Sequence, residues 1–203
     1  MSVLSGDPRL AQLIEFGRQF HARGWVPATG GNFSLRLQPD RIAITRSGVH
    51  KGELQPRDFL QVGLNGRLYA GDGKPSYETE LHLMLYRRDG RIGCVLHTHS
   101  VANTVLSRRR PTIDLRGYEV MKVFPDVDDP ERPLQLPVFA NDQSMPQLAV
   151  RIDAGLRERD PGAFLLAGHG LYAWGADPGR ARDRVEALEL MLECELWTEG
   201  PVP

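Results

Sequence analysis

The tripeptide His97-Thr98-His99 closes an apolar run, Ile92-Gly93-Cys94-Val95-Leu96. Strand side chains alternate faces, so residues two apart point the same way. Two imidazoles at that spacing on a stiff strand can share one metal ion. A third candidate, His169, stands in Leu165-Leu166-Ala167-Gly168-His169-Gly170, again just past an apolar run. The glycines on either side permit close approach of backbone. Three neutral imidazoles around a zinc ion, at about 2.0–2.1 Å, leave a fourth position open, the pattern of a catalytic site. An ion held this way keeps its double charge and polarises a carbonyl or hydroxyl. On spacing alone the alternative, a set of hydrogen-bonded structural histidines, stays open. His50 and His82 read as structural, His82 as the partner of Glu78 one helical turn earlier.

Three loop segments have the makings of a phosphate site. Gly30-Gly31-Asn32 offers backbone N–H groups and an amide. Thr45-Arg46-Ser47-Gly48-Val49-His50-Lys51 offers hydroxyls, N–H groups and the Lys51 cation. Lys74-Pro75-Ser76-Tyr77 offers a hydroxyl at a predicted helix start, where N–H groups and the helix dipole attract anions. Each alone reads equally well as a plain turn. The acid/base candidates are Glu78, in the first turn of that helix, and Glu119, in Leu115-Arg116-Gly117-Tyr118-Glu119-Val120-Met121-Lys122. By pattern alone either carboxylate serves as a solvated or capping charge.

The elements that must position these groups follow from periodicity. Asp7-Pro8 reads as an N-cap and first helical residue, and Leu10, Leu13, Ile14, Gly17, Phe20 and His21 form a helical stripe ended by Gly24. Strands are predicted around Phe33–Leu37 and Arg41–Thr45, across the Pro39-Asp40 turn. Phe59–Leu64 and Arg67–Ala70 flank Asn65-Gly66, a tight-hairpin signal. Ser76 caps a helix running to about Arg88, the His97 strand follows, and a helix covers Ala102–Leu106. Leu134–Phe139 is a strand that Pro137 marks as an edge. Ser144 and Pro146 open a helix bearing Leu148, Ala149, Ile152 and Leu156. Phe164–Leu166 and Leu171–Trp174 are strands around His169, and Asp177-Pro178 starts a final helix with Val185, Leu188, Leu192 and Leu196. Hairpins mixed with helices predict a layered α/β/α domain, residues 1–203, around a central, largely antiparallel sheet. There is no GxGxxG after a strand and no P-loop.

Composition excludes several classes. With 25 Lys and Arg against 26 Asp and Glu, the formal net charge is −1, so bulk charge does not point to nucleic acid. Arg108-Arg109-Arg110 reads as a solvated helix end, and the acidic, proline-rich Asp126–Pro133 as an exposed loop. Only two cysteines, Cys94 and Cys194, are present, too few for a disulfide framework. Cys94 has the opposite strand parity to His97 and faces away from the proposed metal. No stretch reaches the roughly 20 apolar residues of a membrane span, and no signal or transit pattern opens the chain. The expectation is a cytoplasmic protein that binds neither nucleic acid nor membrane.

The order of these segments carries a resemblance. Gly30-Gly31-Asn32-Phe33-Ser34, Thr45 with Ser47-Gly48 and Lys51, Lys74-Pro75-Ser76 with Glu78, His97-Thr98-His99-Ser100 and Gly168-His169-Gly170 occur in this sequence over most of the chain, from about Leu10 to Trp197. The set resembles the class II aldolase/adducin family of zinc-dependent sugar-phosphate enzymes. Glu119-Val120-Met121-Lys122 and Gly168–Gly175 bring it closer to a dehydratase branch of that family. The resemblance implies the class II aldolase-like fold and one zinc per subunit on His97, His99 and His169. It implies phosphate contacts at Asn32, Ser47, Gly48 and Ser76, with Gly31 and Lys51 beside them. It matches Glu78 to the catalytic carboxylate of the aldolases and Glu119 to the acid/base of the dehydratases. Tyr77 departs from the second phosphate-binding serine of the aldolases. The implied activity is a hydro-lyase acting on 5-methylthioribulose 1-phosphate, and the implied assembly is a fourfold homotetramer with active sites near subunit boundaries. The broad apolar arc of the last helix, with Ala187, Leu190, Met191 and Cys194 beside the main stripe, is consistent with burial by a neighbour. The rivals are an aldolase or epimerase of the same family and a non-catalytic, adducin-like interaction module.

Overall fold

Asp7 accepts a hydrogen bond from the Arg9 backbone N–H at 2.9 Å and Pro8 follows, so the first helix, α1, starts at the predicted cap. In the computed structural model, which describes residues 6–124, 127–158 and 160–199, α1 spans Pro8–Ala22. The strands β1 (Asn32–Gln38), β2 (Arg41–Thr45), β3 (Phe59–Gly63) and β4 (Leu68–Ala70) follow as successive hairpins. Helix α2 covers Thr79–Arg88 and β5 Cys94–Thr98, and the short α3 covers Val101–Leu106. Next come β6 (Thr112–Leu115), β7 (Leu134–Phe139), α4 (Met145–Glu158), β8 (Ala163–Leu166), β9 (Gly170–Gly175) and α5 (Pro178–Glu199).

One mixed sheet runs β4-β3-β2-β1-β5-β9-β8-β7-β6, and β7 with β8 is its one parallel pair. The expected layered architecture is present. Period-two alternation divides the apolar residues between two cores. On β5, Cys94 and Leu96 join α1, α3 and α5 on one face, whereas Val95 joins α2 and α4 on the other. On β9, Leu171 and Ala173 share the first core, and Tyr172 and Trp174 the second. The histidine strand and its partner β9 therefore lie at the middle of the sheet, paired on both sides and covered on both faces.

Four local expectations change. Strand β7 is not an edge, because β6 pairs outside it; the ladder to β8 involves only Val138 and Phe139, beyond Pro137, so the missing N–H is not called on there. Ser76 does not cap α2 with its hydroxyl. The N-cap position is Glu78, and Ser76 instead gives its carbonyl to the Thr79 N–H and hydroxyl. His21 is exposed rather than at a core edge; α1 ends against the turn at Lys51–Glu53, where the His21 ring meets His50 edge-on at 4.3 Å. In α5, Ala187 and Met191 are buried by the chain's own sheet and helices, while Leu190 remains exposed. The acidic loop is exposed at Asp128 and Asp129, as expected, while its Asp126 lies outside the described residues. Both cysteines are free, Cys94 buried.

Candidate functional site

His97 is the last residue of β5 on the face that carries Val95. It is paired in register with Tyr172 on β9 and Asn32 on β1. Its ring stacks on that of Tyr172, with centroids 4.0 Å apart. His99 lies two residues on, just outside the sheet, its N–H bound to the Trp25 carbonyl at 2.6 Å. His169 comes from the β8–β9 turn, where Gly168 has φ +64°. The three rings converge, with centroid distances of 4.4 Å (97–99), 5.1 Å (97–169) and 4.8 Å (99–169). One ring nitrogen from each lies within 4.8 Å of the others. The strand spacing and the glycine-flanked third histidine have thus met at one point.

Glu78 closes this cluster. Its Oε1 lies 2.9 Å from His169 Nε2 and its Oε2 3.2 Å from His97 Nε2. Burial pushes the Glu78 carboxyl upward, but positive charge at His97 and His169, or on a cation in its place, more than offsets this and holds it well below the usual carboxylate range. Burial, and then the neighbouring His97 and His169, push His99 down to about 2, which leaves its lone pair free. A donor count tests the fit to a cation. His97 Nδ1 lies 2.9 Å from the Leu171 carbonyl, which can only accept, so Nδ1 carries the proton. His97 Nε2 then presents a bare lone pair, buried and without a hydrogen-bond partner, toward a carboxylate. Two facing lone pairs repel unless a cation lies between them. A carbonyl that fixes the tautomer from behind is the usual support of a metal-binding imidazole.

The phosphate candidates surround this point unequally. Gly31, at φ +77°, lies so close to the histidine strand that an added Cβ would stand 2.7 Å from the His97 carbonyl. Asn32 is buried, and its Nδ2 donates to Glu78 Oε2 at 2.6 Å. Ser47 and Gly48 are exposed at a loop tip, which is pinned by the Ser47 N–H on the Lys74 carbonyl at 2.9 Å. Ser76 is half-buried between Thr45 and α2. Lys51 is buried, and its ammonium donates to the carbonyls of Thr29 (2.7 Å) and Val49 (2.6 Å), tying the two glycine loops together. Burial lowers the Lys51 ammonium to about 8 against the opposing pull of Glu78. An ammonium has three donors, so one remains beyond these two carbonyls. Tyr77 is exposed, its hydroxyl on the Gln143 carbonyl.

Glu119 is not brought to the histidines of its own chain. It sits on a short 3-10 turn, Glu119–Val123, that packs in the layer of α5, the opposite face of the sheet from Val95 and Tyr172. Its side chain is 78% exposed and paired with Lys122.

Two hydrogen-bonded networks behind the cluster do not follow from the sequence. His82 was expected to pair directly with Glu78, but Asn32 stands between them: His82 Nε2 meets Asn32 Oδ1, and His82 Nδ1 meets Ser34 Oγ at 2.7 Å. Ser34 in turn meets Tyr86 Oη at 2.9 Å. Burial, and then His97, push His82 down to about 3, so its ring is neutral. The spacing Glu78, His82, Tyr86, every fourth residue of one helix, was the available signal. On the other face, Thr98 donates to the buried Glu189 of α5 at 2.6 Å, and Asn103 Nδ2 donates to it at 3.1 Å. Burial raises Glu189 to about 7 despite hydrogen bonds from Ser100, Thr98 and Asn103. No sequence pattern marks a single glutamate in a helix of mixed polarity.

Comparison with known proteins agrees with this geometry. The chain is 50% identical over 190 residues to the methylthioribulose-1-phosphate dehydratase of Acidiphilium cryptum, covering 92% of this chain and 89% of that one. It is 46% identical to the protein of the same name from Methylococcus capsulatus, covering 96% of each. Among solved structures, an L-fuculose 1-phosphate aldolase superposes with a TM-score of 0.79 at 25% identity, covering 98% of this chain and 92% of that one. The L-fuculose-1-phosphate aldolase of Thermus thermophilus gives 0.77 at 27%, covering 96% and 98%. No described helix is long and apolar enough to cross a membrane. The family model described as class II aldolase and adducin N-terminal domain matches residues 11–196, and with the histidine cluster at the centre of that fold, the chain belongs to this family.

Proposed function

We propose that this chain is a zinc-dependent hydro-lyase that converts 5-methylthioribulose 1-phosphate to 2,3-diketo-5-methylthiopentyl 1-phosphate and water, a step of methionine salvage. The observation that carries the reading is the convergence of His97, His99, His169 and Glu78 in a chain 46–50% identical, over more than nine-tenths of its length, to named dehydratases. His97, His99 and His169 would hold the ion. When bound, zinc supplies Lewis acidity that lowers the cost of negative charge on the substrate's C2 carbonyl oxygen.

The protein's own groups do the rest. Removal of the C3 proton and departure of the C4 hydroxyl as water leave an enol, which tautomerises to the diketone. A carboxylate must carry protons in this sequence, and Glu119 has that role. Its exposed turn suits it to the site of a neighbouring copy, because its own histidines open from the other layer of the sheet. A homotetramer with sites at subunit boundaries meets that need, and exposed Leu190 and Trp197 on α5 are fitting contact residues. Glu78, held ionised beside the imidazoles, keeps the carboxylate charge at the reaction centre and is the alternative base. Gly31, Asn32, Ser47, Gly48 and Ser76, with Lys51 bracing the loops, would hold the phosphate. That grip uses binding energy remote from the reacting carbons for positioning.

The test is direct. Purified protein should form the diketone from methylthioribulose 1-phosphate and leave fuculose and ribulose phosphates uncleaved. Aldol cleavage of either, with no diketone formed, would establish the aldolase reading instead.

A further inference from the structure

Glu78 stands at the end of a buried row of hydrogen bonds: Tyr86 to Ser34, Ser34 to His82, His82 to Asn32, and Asn32 to Glu78. The donors in this row can be assigned by elimination. Asn32 presents its Nδ2–H to Glu78 Oε2 at 2.6 Å and its Oδ1 to His82 Nε2. An amide oxygen only accepts, so His82 Nε2 must carry the ring proton. The neutral ring then has a bare Nδ1, which accepts from the Ser34 hydroxyl. Ser34 has spent its one proton and accepts from Tyr86. All four bonds point the same way, toward the carboxylate. Bonds aligned head to tail polarise one another, and their strength rises where water is excluded. Ser34 and His82 are fully buried and Tyr86 nearly so.

We propose that His82 is a positioning residue for the dehydratase: as the Nε2–H tautomer, locked by Ser34 and Tyr86, it orients the Asn32 amide so that the Glu78 carboxyl is held aimed at the histidine cluster. His82 touches no reacting atom. It acts through Asn32, and Asn32 through Glu78. This rests on the dehydratase reading for its kinetic consequence, but the tautomer itself does not.

Two variants separate the donor from the ring. In His82→Gln the side-chain amide nitrogen replaces Nε2–H, so the donation to Asn32 survives. In His82→Asn the shorter amide replaces the Nδ1 side and the donation is lost. His82→Gln is expected to keep kcat within a few-fold of wild type. His82→Asn should lower kcat about 10- to 100-fold, with zinc per chain nearly unchanged. Long-range ¹⁵N–¹H correlation spectra of the histidine-labelled wild-type zinc enzyme supply a readout independent of turnover. The His82 signals, assigned by their loss in His82→Gln, should be those of a neutral ring protonated at Nε2. A ring protonated at Nδ1, or an imidazolium, overturns the proposal whatever the kinetics. So does wild-type kcat in folded His82→Asn, or equal loss in both variants. A wild-type protein without diketone formation, yet with the Nε2–H signature, would refute the activity and leave the tautomer assignment standing.

Discussion

The Glu78 carboxylate faces the His169 imidazole at 2.9 Å, although the two residues stand 91 positions apart in the chain, one at a helix start and the other in a strand turn. That approach, repeated by the other Glu78 oxygen on His97, gathers a carboxylate and three imidazoles at one point. A cation resolves the conflict. His97→Ala and His169→Ala should therefore fold but lose most of the one zinc per chain expected of wild type. Elemental analysis of dialysed protein checks this, and full occupancy in both variants would refute the assignment. Removal of zinc by a chelator should abolish turnover, and zinc should restore it.

Glu119→Gln is expected to keep zinc and fold while kcat falls by about 10²–10⁴, the usual contribution of a general acid/base. If Glu119 serves a neighbouring copy, mixing inactive Glu119→Gln with inactive His97→Ala under subunit exchange should regain part of the activity. Near wild-type turnover in Glu119→Gln, with none in Glu78→Gln, would move the base to Glu78.

The tetramer itself predicts a mass four times that of the 22.7 kDa chain by light scattering at micromolar concentration. Trp197, 78% exposed on α5, is the side chain whose change to Glu should shift that mass downward. A wild-type monomer with full activity would refute the shared site.

Gly170 shows how closely the site is packed. A Cβ there would lie 2.2 Å from the Thr98 carbonyl and 2.7 Å from His97 Cε1. The obstacle is backbone and a metal-facing ring, so neither yields cheaply. Gly170→Ala should cost about 1–3 kcal/mol of stability, as overpacking does, and should reduce zinc content as well. Urea unfolding with metal analysis tests both effects.

Glu189 makes stability depend on pH. Its carboxyl is raised in the fold from 4.5 to about 7. A raised folded value means that the stabilising contribution is full below about 4.5 and is lost as pH rises through about 7. Chelator-stripped Glu189→Gln should match wild type near pH 4.5 and exceed it at pH 8 by on the order of 3 kcal/mol. A constant difference between the two proteins across that range would show that Glu189 does not titrate there.

Period and parity along single segments determined in advance that His97 and His99 stand together. His97 and His99 share a strand face because alternation is a local property of the backbone, and Cys94 points away for the same reason. The cap at Asp7, the Asn65-Gly66 hairpin and the strands around His169 were equally local. Pro137 misled, because whether a strand is an edge depends on what pairs beside it, and β6 carries little signal of its own. His82 misled for a related reason. Its distance from Glu78 along α2 is local, but the Asn32 that parts them arrives from another strand. Glu189 acquires its raised carboxyl only when α5 packs behind Thr98. Local backbone geometry decided which side chains share a face. Desolvation and the long-range arrival of partners, which exist only once the layers close, decided which of them are ionised, paired and aimed at the histidine cluster.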